Sequence, residues 1–150
     1  MKTEKAPLAF SDAMIAAEQR LRQHGHRVTR PRQLILATLL AADCASSQDE
    51  LSRTLEKSNY EVDRVTVYRV LEWLVEHKLA HRVSSDSRAW QFNALNDEEH
   101  EHGHFACREC ERIFCLADRE INVAPKMPAG FRADESELLV RGRCPDCGKQ

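Results

Sequence analysis

The sequence predicts an α+β chain, with an N-terminal winged helix followed by a small C-terminal β part. Three observations carry this. Apolar residues recur at helical spacing between residues 11 and 77. Two short β-prone runs then flank Ser84-Ser85-Asp86-Ser87, a hairpin signal. Beyond them lie strand-like segments holding two C-x2-C pairs.

Residues 1–10 read as a mobile leader. Ser11 or Asp12 can cap a first helix, whose apolar face is Met14, Ala17 and Leu21 and which Gly25 ends. Thr29 opens a second helix to about Ala42, with Pro31 tolerated in its first turn and a stripe of Ile35, Leu36, Leu39 and Leu40. Ser47-Gln-Asp-Glu50 is a capping-box pattern and predicts a third helix to about Ser58. Asp63 can cap a fourth, to about His77, with Val67, Val70, Leu71 and Leu74 facing inward. Strands are expected at 79–84 and 88–93, then at 103–108, 112–116 and 137–142. Pro125 and Pro128 argue against a long helix between the last two. Helices followed by a hairpin match the winged-helix plan, in which the fourth helix enters a DNA major groove. A generic helical bundle with a hairpin has the same pattern. The polar, acidic segment 94–101 suits a hinge, dividing residues 1–93 from 102–150.

The net charge of −2 over 150 residues argues against a strongly basic nucleic-acid binder until it is split. Residues 1–82 carry a net +2 and residues 83–150 a net −4, so the two parts suit different partners. No apolar run approaches the roughly 20 residues of a membrane span. The start, MKTEKAPLAFSDAM, has no apolar core of a secretory signal. A cytoplasmic, reducing location is therefore expected, where six cysteines read as metal ligands rather than disulfides.

Cys107-Arg-Glu-Cys110 and Cys144-Pro-Asp-Cys147 supply the four thiolates of a closed tetrahedral zinc site. Two intervening residues let a tight turn aim both sulfurs at one ion, and Gly148 favours such a knuckle. Free buried thiols or a redox dithiol are the other readings. His100-Glu-His102-Gly-His104 would place its imidazoles on one face of a strand. By itself this could be a solvated edge. His81 just past the fourth helix and Cys115, outside the paired motifs, could complete a second, sensory site across the hinge. Asp97, Glu98, Glu99 and Glu101 could add an oxygen ligand or only attract cations.

No acidic residue occurs from residue 19 to residue 42, a stretch holding Arg30 and Arg32 among five arginines. Such a patch can contact phosphates. Beside a recognition helix carrying Arg64, Thr66, Tyr68 and Arg69, double-stranded DNA becomes the better partner than solvent. No catalytic set is evident: G-x-S-x-G, H-E-x-x-H and a phosphate loop are missing. Cys44 reads as a buried small apolar residue rather than a nucleophile. A zinc enzyme using the histidines, with Glu99 or Glu101 as base, is a remote alternative, as is a zinc-ribbon interaction module without sensing.

Over about residues 15–148 the sequence resembles the Fur family of metal-dependent bacterial repressors. The resemblance rests on Arg27-Val-Thr-Arg-Pro-Arg32, Val65-Thr-Val-Tyr-Arg-Val-Leu71, His102-Gly-His-Phe-Ala-Cys107, Cys110 and Gly142-Arg-Cys-Pro-Asp-Cys147. It implies a homodimer with winged-helix DNA-binding arms and a C-terminal α/β dimerisation domain. Tyr68 and Arg69 would meet DNA, at an AT-rich inverted repeat, and Cys107, Cys110, Cys144 and Cys147 would hold structural Zn2+. Cys44-Ala45-Ser46 stands where the family often has a histidine, and Cys115 where it often has a carboxylate. Ser136 or a neighbour replaces a further family histidine. His81 and His100 match positions used by the zinc-uptake regulators (Zur), while Asn93 or a neighbour stands where those regulators carry a cysteine. A thiolate in the sensory set favours zinc over iron or manganese. The expectation is a repressor of zinc-uptake genes with a second, regulatory Zn2+. An iron, manganese or peroxide sensor is the alternative. Neither a membrane nor a small organic substrate is expected.

Overall fold

The computed structural model describes residues 8–84, 89–95, 103–116, 126–133 and 136–148. Four helices come first: α1 (Phe10–Gln23), α2 (Arg30–Ala41), α3 (Gln48–Lys57) and α4 (Arg64–Glu76). Strands β1 (Ser46–Ser47), β2 (Ala80–Val83) and β3 (Gln91–Ala94) form an antiparallel sheet in the order β1-β3-β2. Strands β4 (His104–Cys107), β5 (Ile113–Cys115) and β6 (Leu139–Gly142) form a second sheet in the order β5-β4-β6. The helices and first sheet make a winged helix, and the second sheet is the C-terminal part of an α+β chain. No helix among the described residues is long and apolar enough to cross a membrane.

Helix α2 is the centre of the first part. Every residue from Leu34 to Leu40 is buried, so its apolar stripe is wider than the four residues expected. The cause is position: α1, α3, α4 and β3 all surround it. The one hydroxyl in that run, on Thr38, donates to the Leu34 carbonyl at 2.8 Å and so is not left unsatisfied. Leu21 from α1, Leu51 and Leu55 from α3, and Val67, Leu71 and Leu74 from α4 pack around it. Of the expected face of α1, Ala17 and Leu21 are buried, and Ala13 takes the inner place expected of Met14.

The helix ends follow local chemistry. Ser47 and Glu50 form the expected capping box, with both reciprocal hydrogen bonds present. Asp63 caps α4 by accepting from the Thr66 backbone N–H at 2.9 Å. Helix α1 differs from expectation, because it opens from Ala9 with no side-chain cap. Three helices close on a left-handed residue: Gly25 after α1, Asn59 after α3 and Lys78 after α4. In each, the next amide reaches back to a carbonyl five residues earlier, as His26 to Leu21, Tyr60 to Leu55 and Leu79 to Leu74.

The wing is β2 paired with β3, in register from Ala80↔Ala94 to Val83↔Gln91. Ala94, expected in the hinge, is therefore a strand residue. Leu95 also stays with the first part: its N–H donates to the Leu79 carbonyl, and its carbonyl accepts from the Arg20 guanidinium. The rest of the expected hinge, the turn at 85–88, most of the leader and Pro125 lie outside the described residues.

A small apolar cluster joins the two parts. Ile113 of β5 packs with Ala45 and Val83, and the Ala45 N–H donates to the Ile113 carbonyl at 2.8 Å.

Candidate metal centre and nucleic-acid face

The two C-x2-C pairs are 33 residues apart in sequence, and the second sheet closes that gap. Strands β4 and β6 run parallel with Cys107 opposite Gly142, two residues before Cys144. A Cβ on Gly142 would come within 3.1 Å of the Phe105 ring, so glycine permits this approach. The first knuckle turns with Glu111 at φ 59°, and the Cys107 N–H donates to the Arg112 carbonyl at 3.0 Å. In the second, the N–H groups of Cys147 and Gly148 both reach the Cys144 carbonyl.

The four sulfurs lie within 4.8 Å of one another. Cys110 Sγ and Cys144 Sγ are 3.7 Å apart. Zinc–sulfur bonds of about 2.3 Å in a tetrahedron require sulfur–sulfur edges of about 3.8 Å, so this donor set fits Zn2+. Proton affinities diverge within the quartet. Backbone N–H groups of Cys110 and then Cys144 bring the Cys107 thiol down to about 6. The Arg112 guanidinium lowers Cys110. Cys147, hydrogen-bonded to Cys144 and partly desolvated, is pushed up to about 12. The fold thus favours the thiolate form on the first knuckle and the thiol form at Cys147, whose proton a metal would displace.

A second group of donors bridges the two parts. His81 on β2 and His104 on β4 meet Nε2 to Nε2 at 2.8 Å, with ring centroids 4.9 Å apart. At that distance one imidazole donates to the other. Two nitrogens sharing a tetrahedral zinc would stand about 3.3 Å apart, against the 2.8 Å of this hydrogen-bonded pair. Cys115 is the direct cross-strand partner of His104. Directly opposed residues share a sheet face, so its thiol lies on the histidine side. In the first sheet, Asn93 on β3 is the direct cross-strand partner of His81. His100, His102 and the acidic residues 97–101 lie outside the described residues. Among the described residues, three or more metal-binding groups converge only at the cysteine quartet.

The outer face of α4 is exposed. Val65 and Tyr68 are 58% and 51% accessible, and Arg69 is exposed beside them. Apolar and aromatic groups left in solvent on one helix face suit a docking surface. The other candidates are engaged. Arg64 pairs with Asp49 of α3. The Thr66 hydroxyl donates to Asp63 at 2.6 Å, within the helix cap. Arg30 lies over the Tyr60 ring at 5.3 Å. Arg32 stacks on Trp73 at 3.7 Å and donates to the Arg27 carbonyl. Its guanidinium thus braces α2 against α4. Sequence reasoning overlooked the exposed Trp90 on the wing and Arg112 beside the sulfurs. A cation two residues past Cys110 was the available signal for the latter. Cys44 is half-buried rather than buried as expected, and desolvation still pushes its thiol up to about 11, as suits an inert residue.

Residues 23–140 match the profile of the Ferric uptake regulator family. Among curated relatives, the chain is 30% identical to the transcriptional regulator FurA of Mycobacterium tuberculosis over 135 residues, covering 87% of this chain and 88% of that protein. It is 32% identical to the ferric uptake regulation protein of Haemophilus ducreyi over 135 residues, with 84% and 87% covered. The solved ferric uptake regulator of Vibrio cholerae superposes with a TM-score of 0.62 at 26% identity, covering 85% of this chain and 98% of that one. A zinc uptake regulator solved with zinc and DNA superposes with a TM-score of 0.68 at 20% identity, covering 93% and 95%.

Proposed function

The chain belongs to the ferric uptake regulator family, and from that premise we propose that it is a zinc-responsive repressor of zinc-uptake genes. The coarser statement, a metal-responsive transcriptional regulator, follows from the family. The finer one is carried by the His81–His104 pair, which spans the wing and the C-terminal sheet with Cys115 opposite His104. Two imidazoles and a thiolate form a soft donor set that favours zinc over iron or manganese. His100 and His102 would complete that sensory set. Cys107, Cys110, Cys144 and Cys147 would hold a separate structural Zn2+.

In this reading the protein is a cytoplasmic homodimer, with winged helices over residues 1–93 and dimerisation through residues 102–150. The first part extends two residues further in the chain's hydrogen bonding, to Leu95. His81 moves with the recognition helix, because β2 follows α4 directly. His104 moves with β4. Holding both imidazoles at one ion favours a single relation between the parts, and ligand-selected geometry is what can couple metal to DNA. Val65, Tyr68 and Arg69 would then enter a major groove of an AT-rich inverted repeat. Arg64, Thr66, Arg30 and Arg32 support that face by positioning it, with any phosphate contact secondary.

The relatives named as ferric uptake regulators favour a second reading, in which the same histidines respond to iron or manganese. The test is operator affinity against buffered Zn2+, Fe2+ and Mn2+, for wild type and Cys115→Ser. Zinc activating at the lowest free concentration, with that preference lost in Cys115→Ser, supports the zinc reading. Activation by iron or manganese with Cys115→Ser unchanged overturns it.

A further inference from the structure

Arg112 lies between the two sulfur knuckles. Its Nε donates to Cys110 Sγ at 3.4 Å, on the first. One Nη reaches Cys144 Sγ at 3.8 Å and Asp146 Oδ2 at 2.6 Å, both on the second. The backbone is fixed on either side, since the Arg112 carbonyl accepts from Cys107 and Ile113 is buried. The Phe114 ring flanks the guanidinium at 5.3 Å. We propose that Arg112 is a positioning residue of the four-cysteine site, clamping the two knuckles and offsetting the negative charge of a thiolate-bound divalent ion. This rests on the reading that the four cysteines hold zinc.

The physical need is clear from the charges. Four thiolates around one divalent cation leave a net charge of about −2 in a half-buried site, and such charge is costly unless paired. A planar fork can meet a sulfur on one knuckle and a sulfur and a carboxylate on the other, which a lysine ammonium cannot reproduce. Asp146 orients that fork, as outer partners commonly do around metals. Nearby, Arg143 pairs with Glu109 at 3.2 Å and also spans the knuckles, yet it meets a carboxylate rather than sulfur. The two arginines therefore separate a tie across the knuckles from direct contact with the thiolates.

The experiment measures zinc per chain and the rate of zinc transfer to 4-(2-pyridylazo)resorcinol from full-length protein. Wild type is compared with Arg112→Ala, Arg112→Lys, Asp146→Asn and Arg143→Ala. Arg112→Ala should weaken the hold on zinc roughly 10–100-fold, with Arg112→Lys and Asp146→Asn intermediate. Arg143→Ala should change it by no more than about fivefold, as an exposed ion pair. In Co2+-loaded protein the sulfur-to-cobalt charge-transfer band should shift to lower energy in Arg112→Ala, because the N–H groups stabilising the sulfur lone pairs are gone. Should Arg112→Ala fail to fold, Arg112→Lys and Asp146→Asn carry the comparison. Wild-type release rates and an unshifted cobalt band in the Arg112 variants would overturn the proposal. Wild-type protein with no zinc on its cysteines would instead overturn the reading beneath it, and the proposal with it.

Discussion

Removing the metal from the cysteine quartet should dissolve the second sheet and leave the winged helix folded. The perturbation is Cys144→Ser, or a strong chelator under reducing conditions. Ile113 is the one large, fully buried apolar side chain among the described residues of the C-terminal part. Its burial contributes about 1.5–3 kcal/mol. A structural four-ligand zinc site contributes an apparent 10–16 kcal/mol or so near neutral pH. The metal term is several times larger, so β4, β5 and β6 depend on it. The first part instead has 18 buried residues in one cluster and needs no ion. Hydrogen exchange resolves the two directly. The amides of His104, Cys107 and Arg108, bonded to Leu138, Arg112 and Gly142, should lose protection, while those within α2 and α4 keep theirs. Full protection at those three amides in the metal-free protein would refute the reasoning. So would simultaneous loss of protection in α2.

Other outcomes follow from single contacts. Lys78 ends α4 at φ 57°, where a side chain is strained, so Lys78→Gly should raise stability by up to about 1 kcal/mol in urea melts. A loss of stability would show that Lys78 makes a compensating contact. His26 is held below its ordinary 6.5 by burial first, then by His77, His24 and Arg32. The folded protein therefore takes up that proton less readily than the unfolded chain, and stability should fall as pH drops below about 6.5. His26→Gln should flatten that slope, and an unchanged slope would assign it to other groups. Trp73, stacked on His77 at 4.2 Å and edge-on to His26 at 4.8 Å, offers a fluorescence readout.

Much of this was legible in sequence where the governing chemistry is local. The capping box at Ser47 and Glu50, the Asp63 cap and the inner face of α4 depend on residues a few positions apart. The paired cysteines are local in the same way, since each knuckle is one tight turn. What needed structure is long-range. Strand β1 is two serines with no apolar pattern, and it exists because Phe92 and Gln91 pair with it. The parallel pairing of β4 with β6 has no signal in the residues between them. Arg32 read as a phosphate contact because its charge is visible in sequence, while its stacking on Trp73 depends on how α2 crosses α4. Ala45 docking on Ile113 was equally hidden, since neither residue belongs to a motif.

The central claim is that His81 and His104 couple metal to DNA through the relation between the two parts. The most direct test is operator affinity by fluorescence anisotropy, with the cysteine quartet kept zinc-loaded and buffered Zn2+ added. Wild type should gain roughly 5–150-fold in affinity, the usual range of such coupling, and His81→Ala or His104→Ala should lose that gain while keeping its metal-free affinity. An equal zinc response in wild type and both variants would contradict the account.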